Sequence, residues 1–344
     1  MNNNSTKGGE LSIGVDVSDK YSHICVIDRD GEILEESRIP TKRSAFEKRF
    51  SMCSPALIAI EAGTHSPWID QLLRDLGHDV LVANPRKLRV IYENESKDDK
   101  IDAQMLARVA RFDPSLLRPI EHRKKEMQEH LEIIKSRDTL VTARTALVNH
   151  VRGAVKSHGF KLPKFSTNSF PKKAAEHIPK SLWACLSPLL DTIGQMTAKI
   201  QIYDKRIEEL CDTTYQVSTG VLRQVKGVGS LTALAFVLCI GDPYRFNKSR
   251  AVGTYFGLCP RKDESGAKKP QLSITKTGNS FIRRLLVGSA QYILGPFGPD
   301  SDLRRWGLEK AKGGWKSSQE TSGSGGGTQA GGASPSTAHN RRGL

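Results

Sequence analysis

Four acidic residues stand where secondary-structure elements should end. They are Asp16 in "IGVDVS", Glu61 closing "ALIAIE", and Asp99 and Asp102 in "KDDKIDAQMLARV". Asp16 alternates against its apolar neighbours Val15 and Val17. Glu61 is followed by Ala62 and Gly63, which leave room for a ligand or a nucleic-acid backbone. Asp99 and Asp102 are spaced to share one face of a helix. Brought together, four carboxylates repel one another unless divalent cations lie between them. All-oxygen donors suit Mg²⁺ or Mn²⁺. Two such ions can clamp the attacking and leaving oxygens of an in-line phosphoryl transfer. Each residue alone also has a plainer reading, as a turn ligand, a strand end or a helix N-cap.

Positioning these residues requires a sheet. "LSIGVDVS", "SHICVID" and "EILEESRIP" are short β-branched runs, and "RDG" at 29–31 makes a hairpin turn between the last two. A polar helix near 43–52 follows. "PALIAIEA" reads as a buried strand, 67–76 as a helix, "HDVLVANP" as a strand, and a further helix begins near Asp99. Three hairpin-linked strands followed by strand–helix–strand–helix predict a mixed α/β sheet over 11–120, with 1–10 disordered.

Residues 121–218 read as a helical connector, charged and helical over 121–156 and irregular over 157–183. Leu189, Ile193, Met196, Ile200, Tyr203, Ile207 and Leu210 recur at heptad spacing over 189–210. That seam fits a dimerising coiled coil as well as a helix packed inside the chain. A small, mainly α domain over 219–312 opens with "KGVGS", a glycine hairpin between two helices, followed by helices over 249–257 and 279–294. Gly227 and Gly229, beside Lys226, would let backbone N–H groups approach a phosphate, although a tight helix–helix turn needs the same residues. From Gly313 the chain turns Gly/Ser/Thr-rich, and 313–344 is expected to be disordered. Codons for this stretch also permit a one-base-shifted reading that is basic and amphipathic, which marks the tail as a possible frameshift product; early stop codons in the shifted frame would refute this.

Lysine and arginine number 52 against 37 acidic residues, a net charge of +15. Such an excess points to a polyanion, with DNA the foremost candidate. No apolar run reaches membrane-spanning length, and "MNNNSTKGGE" has no signal-peptide pattern. The six cysteines are scattered without a CxxC pair, as in a reduced cytoplasmic protein.

"IGVDVS", "IEAGTHSPWI", "NPRKLRVI" and "KDDKIDAQMLARV" together resemble the RuvC-like, RNase H-fold nuclease domain of the DEDD insertion-sequence transposases of the IS110 family. "VKGVGSLTALAFVLCIGD" through "TKTGNSFIRRLL" resembles that family's C-terminal domain, with a helix-hairpin-helix-like element. The resemblance spans about 11–310. It implies a metal quartet of Asp16, Glu61, Asp99 and Asp102, with Asp98 a bystander. It also implies that Ser265, in "DESG", is a nucleophile that joins covalently to cleaved DNA; by its residues alone Ser265 is a turn serine. Lys97, Arg261, Lys262, Lys268, Lys269, Lys276, Arg283 and Arg284 read as phosphate contacts or as solvated basic surface. Cys259 departs from the hydroxyl residue usual in the family.

The expected activity is therefore strand cleavage and exchange by a transposase of a mobile element. Expected partners are double-stranded DNA, a noncoding guide RNA implied by the resemblance, and further copies of the chain as a dimer or tetramer. A nucleoid-associated location in a bacterial or archaeal cytoplasm follows. The alternatives are a Holliday-junction-type endonuclease that uses water, an actin-like ATPase lacking its later glycine loops, and an inactive DNA-binding copy.

Overall fold

A computed structural model describes residues 11–84, 99–261, 263 and 272–320, the last eight by backbone only. The chain divides into two compact units between Lys124 and Lys125.

The first unit is built on five strands: β1 (Ser12–Val17), β2 (Tyr21–Ile27), β3 (Ile33–Pro40), β4 (Leu57–Glu61) and β5 (Asp79–Ala83). Their order is β3-β2-β1-β4-β5. The β1–β2 and β2–β3 pairs are antiparallel, and β1–β4 and β4–β5 are parallel. The expected turn at 29–31 is present: the Asp28 carboxylate accepts from the backbone N–H groups of Asp30, Gly31 and Glu32, each at 2.9 Å. Helices α1 (Arg43–Phe50) and α2 (Ser66–Asp75) cover one face. There Ile13, Val15, Ile24, Val26, Ile58, Ile60, Val80 and Val82 pack with Phe46, Phe50, Ile69 and Leu73.

The other face belongs to α3 (Asp99–Phe112). Its Ala103 and Ala107 pack on Cys25 and Ile27, and its Leu106 and Ala110 on Ala59 and Ala83. Small residues let the helix lie close to the sheet. Gly14 is the extreme case: a Cβ there would stand 2.0 Å from the Ala103 carbonyl oxygen and 2.5 Å from the Ala107 nitrogen.

The second unit holds α4 (Lys125–Ser157), α5 (Phe170–Ala175), α6 (Lys180–Asp212), α7 (Gln216–Arg223), α8 (Ser230–Ile240), α9 (Arg250–Tyr255), α10 (Ser280–Leu294) and α11 (Asp302–Glu320). The stretch expected to be irregular contains α5 and the start of α6. Of the heptad seam, Ile193, Ile200, Ile207 and Leu210 are buried, and α6 packs on the chain's own α4. One core joins Leu131 and Ile134 of α4 and Ile207 and Leu210 of α6 to Leu234 and Leu238 of α8 and Ile282 of α10. Residues before and after 219 thus share a core. Helix α11 continues to Glu320, past Gly313 where composition suggests that structure ends. Each residue added to an existing helix gains a backbone hydrogen bond, so a helix can outrun its sequence signal. All six cysteines are free, as expected.

Candidate metal and phosphoryl-transfer site

The four acidic residues fall on the α3 side of the sheet, at one end of its central strands. Asp16 lies opposite His23 in the β1–β2 register, and His23 lies opposite Arg38 in the β2–β3 register. Glu61 stands one step beyond the Val15–Ile60 pair, level with Asp16. Directly paired residues point to the same face of a sheet, so Arg38, His23, Asp16 and Glu61 form a row across β3, β2, β1 and β4. The first turn of α3 adds Asp99 and Asp102 over that row. Gly14, two residues before Asp16 and on the same face, is what lets the helix come this close.

The electrostatics follow from the geometry. Asp16 is half-buried, and its carboxyl is raised from 3.8 to about 6, by burial first and then by the charges of Asp99, Asp102 and Glu61. Like charges in partial desolvation penalise ionisation, and a bound cation would relieve this. Ligand atoms of Asp16, His23 and Asp99 lie within 4.8 Å of one another. The Nδ1 of His23 is buried without a hydrogen-bond partner, and Asp99 Oδ2 is 3.7 Å away. Mutual repulsion around Asp16 and an orphaned nitrogen beside it both fit a divalent metal. A hollow of about 430 Å³ opens next to the row, lined by His23, Cys25, Glu36, Arg38, Lys100 and Ala103. The Arg38 guanidinium sits over the Tyr21 ring, 4.4 Å from its centroid.

His23 is the residue that reading for acids passes over. The signal was available: counting outward from the turn between β1 and β2 pairs Asp16 with His23.

In the second unit, the hairpin between α7 and α8 is closed by Val228 N–H donating to the Val225 carbonyl at 2.9 Å. Gly227 has φ +102°, and a Cβ there would meet Tyr292 and Ile293 at 2.9 Å. Gly229 caps α8, and a Cβ there would meet nothing within 4 Å. Lys226 is exposed. Ser265, Lys262, Lys268 and Lys269 lie outside the described residues, as do Lys97 and Asp98. The chain on either side of Ser265 is braced: Arg261 N–H donates to Ser273 O, Thr275 N–H to Cys259 O, and Lys276 N–H to Gly257 O. Pro260 and Ile274 bridge antiparallel. Arg261 and Lys276 are exposed at this brace, Lys276 in the left-handed region at φ +55°. Arg283 is committed internally, its Nη1 donating to Phe256 O at 3.0 Å and Thr277 O at 2.7 Å. Arg284 pairs with Asp138 at 2.5 Å but stays largely exposed.

Comparison with known proteins gives the family. Residues 13–159 match the family model for transposases of the DEDD, IS110 type, and residues 220–301 match that for the transposase IS116/IS110/IS902 family. The transposase for insertion sequence element IS1111A of Coxiella burnetii is 26% identical over 289 residues, covering 82% of this chain and 77% of that protein. A probable family 20 transposase of Pseudomonas aeruginosa is 26% identical, covering 86% and 87%. The transposase for insertion sequence element IS1328 of Yersinia enterocolitica is also 26% identical, covering 82% and 83%.

The family models and relatives define a transposase, a DNA-processing enzyme. The chain belongs to the IS116/IS110/IS902 family of insertion-sequence transposases. Membership implies DNA binding and use of a divalent metal. Among the described residues no helix is long and apolar enough to cross a membrane.

Proposed function

We propose that this chain cuts and rejoins the DNA strands of its insertion sequence. Its first unit would act as an RNase H-like (RuvC-like) nuclease domain, with Asp16, Glu61, Asp99 and Asp102 holding Mg²⁺ or Mn²⁺. The observation that carries this reading is the placement of Asp16 and Glu61 level on neighbouring strands with Asp99 and Asp102 in the first turn of α3, ligand atoms of Asp16 and Asp99 lying within 4.8 Å. The strand order, with three antiparallel strands extended by two parallel ones, supports the nuclease fold.

A bound divalent ion supplies charge neutralisation at the scissile phosphate and helps to activate the attacking oxygen. The chain's residues do the rest. Asp16 and Glu61 are fixed by strand pairing, whereas Asp99 and Asp102 are set by how α3 docks. Arg38 and Lys100 line the hollow beside them and are placed to meet phosphate charge.

The resemblance assigns the nucleophile to Ser265. Its Oγ would form a bond to phosphorus as the bond from phosphorus to the leaving deoxyribose oxygen breaks. The serine proton ends on that oxygen, so the phosphodiester is conserved as a protein–DNA link. The noncoding guide RNA and assembly into a dimer or tetramer are part of the same reading.

Trapping tests it. Full-length protein, Mg²⁺ and nicked or bridged DNA should give a covalent adduct that is lost in Ser265→Ala and, separately, in Asp102→Ala. An adduct surviving Ser265→Ala removes the serine from this role. Cleavage without any adduct returns the chain to a water-using, resolvase-like nuclease.

A further inference from the structure

We propose that His23 is a ligand of the metal centre, binding through Nδ1 beside Asp16 and Asp99, and that it tilts the site toward Mn²⁺ over Mg²⁺. The inference rests on the carboxylate reading above and adds a nitrogen donor to it.

Three observations carry it. His23 is held opposite Asp16 by strand register, so its position does not depend on a loop. Its ligand atom lies within 4.8 Å of those of Asp16 and Asp99. Its Nδ1 is buried and has no hydrogen-bond partner. A histidine kept only for packing normally places each buried ring nitrogen against a donor or acceptor. Here Asp99 Oδ2, at 3.7 Å, is beyond hydrogen-bond reach. An ion between the two groups would satisfy both.

The chemistry sets the preference. Imidazole is a softer donor than carboxylate. Mg²⁺ favours oxygen ligands and gives up water reluctantly, whereas Mn²⁺ accepts nitrogen more readily. A mixed nitrogen and oxygen set therefore discriminates where a pure carboxylate set would not.

Electron spin-echo spectroscopy of the full-length protein loaded with Mn²⁺ tests this without reference to activity. Wild type should show ¹⁴N modulation from a directly bound imidazole, and ¹⁵N-histidine labelling should replace that pattern. His23→Gln should lose the modulation while still binding Mn²⁺. In calorimetric titrations, His23→Asp should shift the Mn²⁺/Mg²⁺ affinity ratio toward Mg²⁺ by about tenfold. Mn²⁺ bound by wild type with no ¹⁴N coupling overturns the histidine ligand and leaves the carboxylate site standing. Absence of Mn²⁺ binding by wild type, or binding unchanged in Asp16→Asn, overturns the metal site itself and this proposal with it.

Discussion

Gly14 and Ala103 approach so closely that a methyl group on the glycine would lie 2.0 Å from the Ala103 carbonyl oxygen. The obstacle is backbone, which cannot rotate aside. Gly14→Ala must therefore lift α3 from the sheet and carry Asp99 and Asp102 away from Asp16. The expected cost is about 1–3 kcal/mol in thermal unfolding, with weakened Mn²⁺ affinity although every carboxylate remains. Gly153→Ala in α4, where a Cβ would meet nothing within 4 Å, serves as the control and should lower neither.

The raised carboxyl of Asp16 gives a pH dependence. A folded value of about 6 lies above the ordinary 3.8, so protonated Asp16 favours the fold. That contribution is complete below the ordinary value and is lost as pH climbs through about 6. Because Asp16 is only half-buried, solvent screening limits the effect to roughly 1 kcal/mol. Metal-free protein should thus melt lower at pH 8 than at pH 5, and Mn²⁺ should restore stability mainly at pH 8. Asp16→Asn should raise the metal-free melting temperature at pH 8 and abolish the response to Mn²⁺.

Alanine at the mouth of α3 separates ligands from bystanders. Asp99→Ala and Asp102→Ala should abolish DNA cleavage and leave the circular dichroism spectrum intact, whereas Asp98→Ala should be mild. Equal losses from all three would return this stretch to an ordinary capped helix start.

The α7–α8 hairpin divides into structure and contact. Gly227→Ala meets both a φ of +102° and the Tyr292 and Ile293 side chains, and should destabilise by about 1–3 kcal/mol. Lys226→Ala should leave melting unchanged. If the hairpin meets DNA, it should also reduce the slope of log affinity against log salt by about 1.

Arg283 should behave as a brace. Arg283→Ala removes a charged donor from two carbonyls and should cost about 1–3 kcal/mol, with little change in the salt slope of DNA binding. Arg283→Lys should rescue poorly, because an ammonium cannot reproduce the guanidinium's geometry. A large fall in salt slope with unchanged melting would make it a phosphate contact instead.

The first unit was legible because its signals are local. The alternation in "IGVDVS", the apolar run "ALIAIE" and the turn at "RDG" fix the strands, the first three pair in chain order before β4 crosses over to β1, and Asp16 and Glu61 follow from strand ends. Asp99 and Asp102 share a face by helical spacing alone. His23 was missed because one histidine in a strand carries no pattern; only the register with Asp16 gives it meaning. At Arg283 the sequence shows charge but not the carbonyls of Phe256 and Thr277 to which its Nη1 donates. The core shared across 219 was not legible for a similar reason: heptad spacing marks a buried stripe but does not say which helices bury it.

That shared core bears on how such proteins can be taken apart and recombined. Leu131, Ile134, Ile207 and Leu210 interlock with Leu234, Leu238 and Ile282. A fragment beginning at 219 would carry half of an apolar interface into water. The division that leaves the contacts on both sides intact lies at Lys125, so the long helices and the region after 219 form one folding unit.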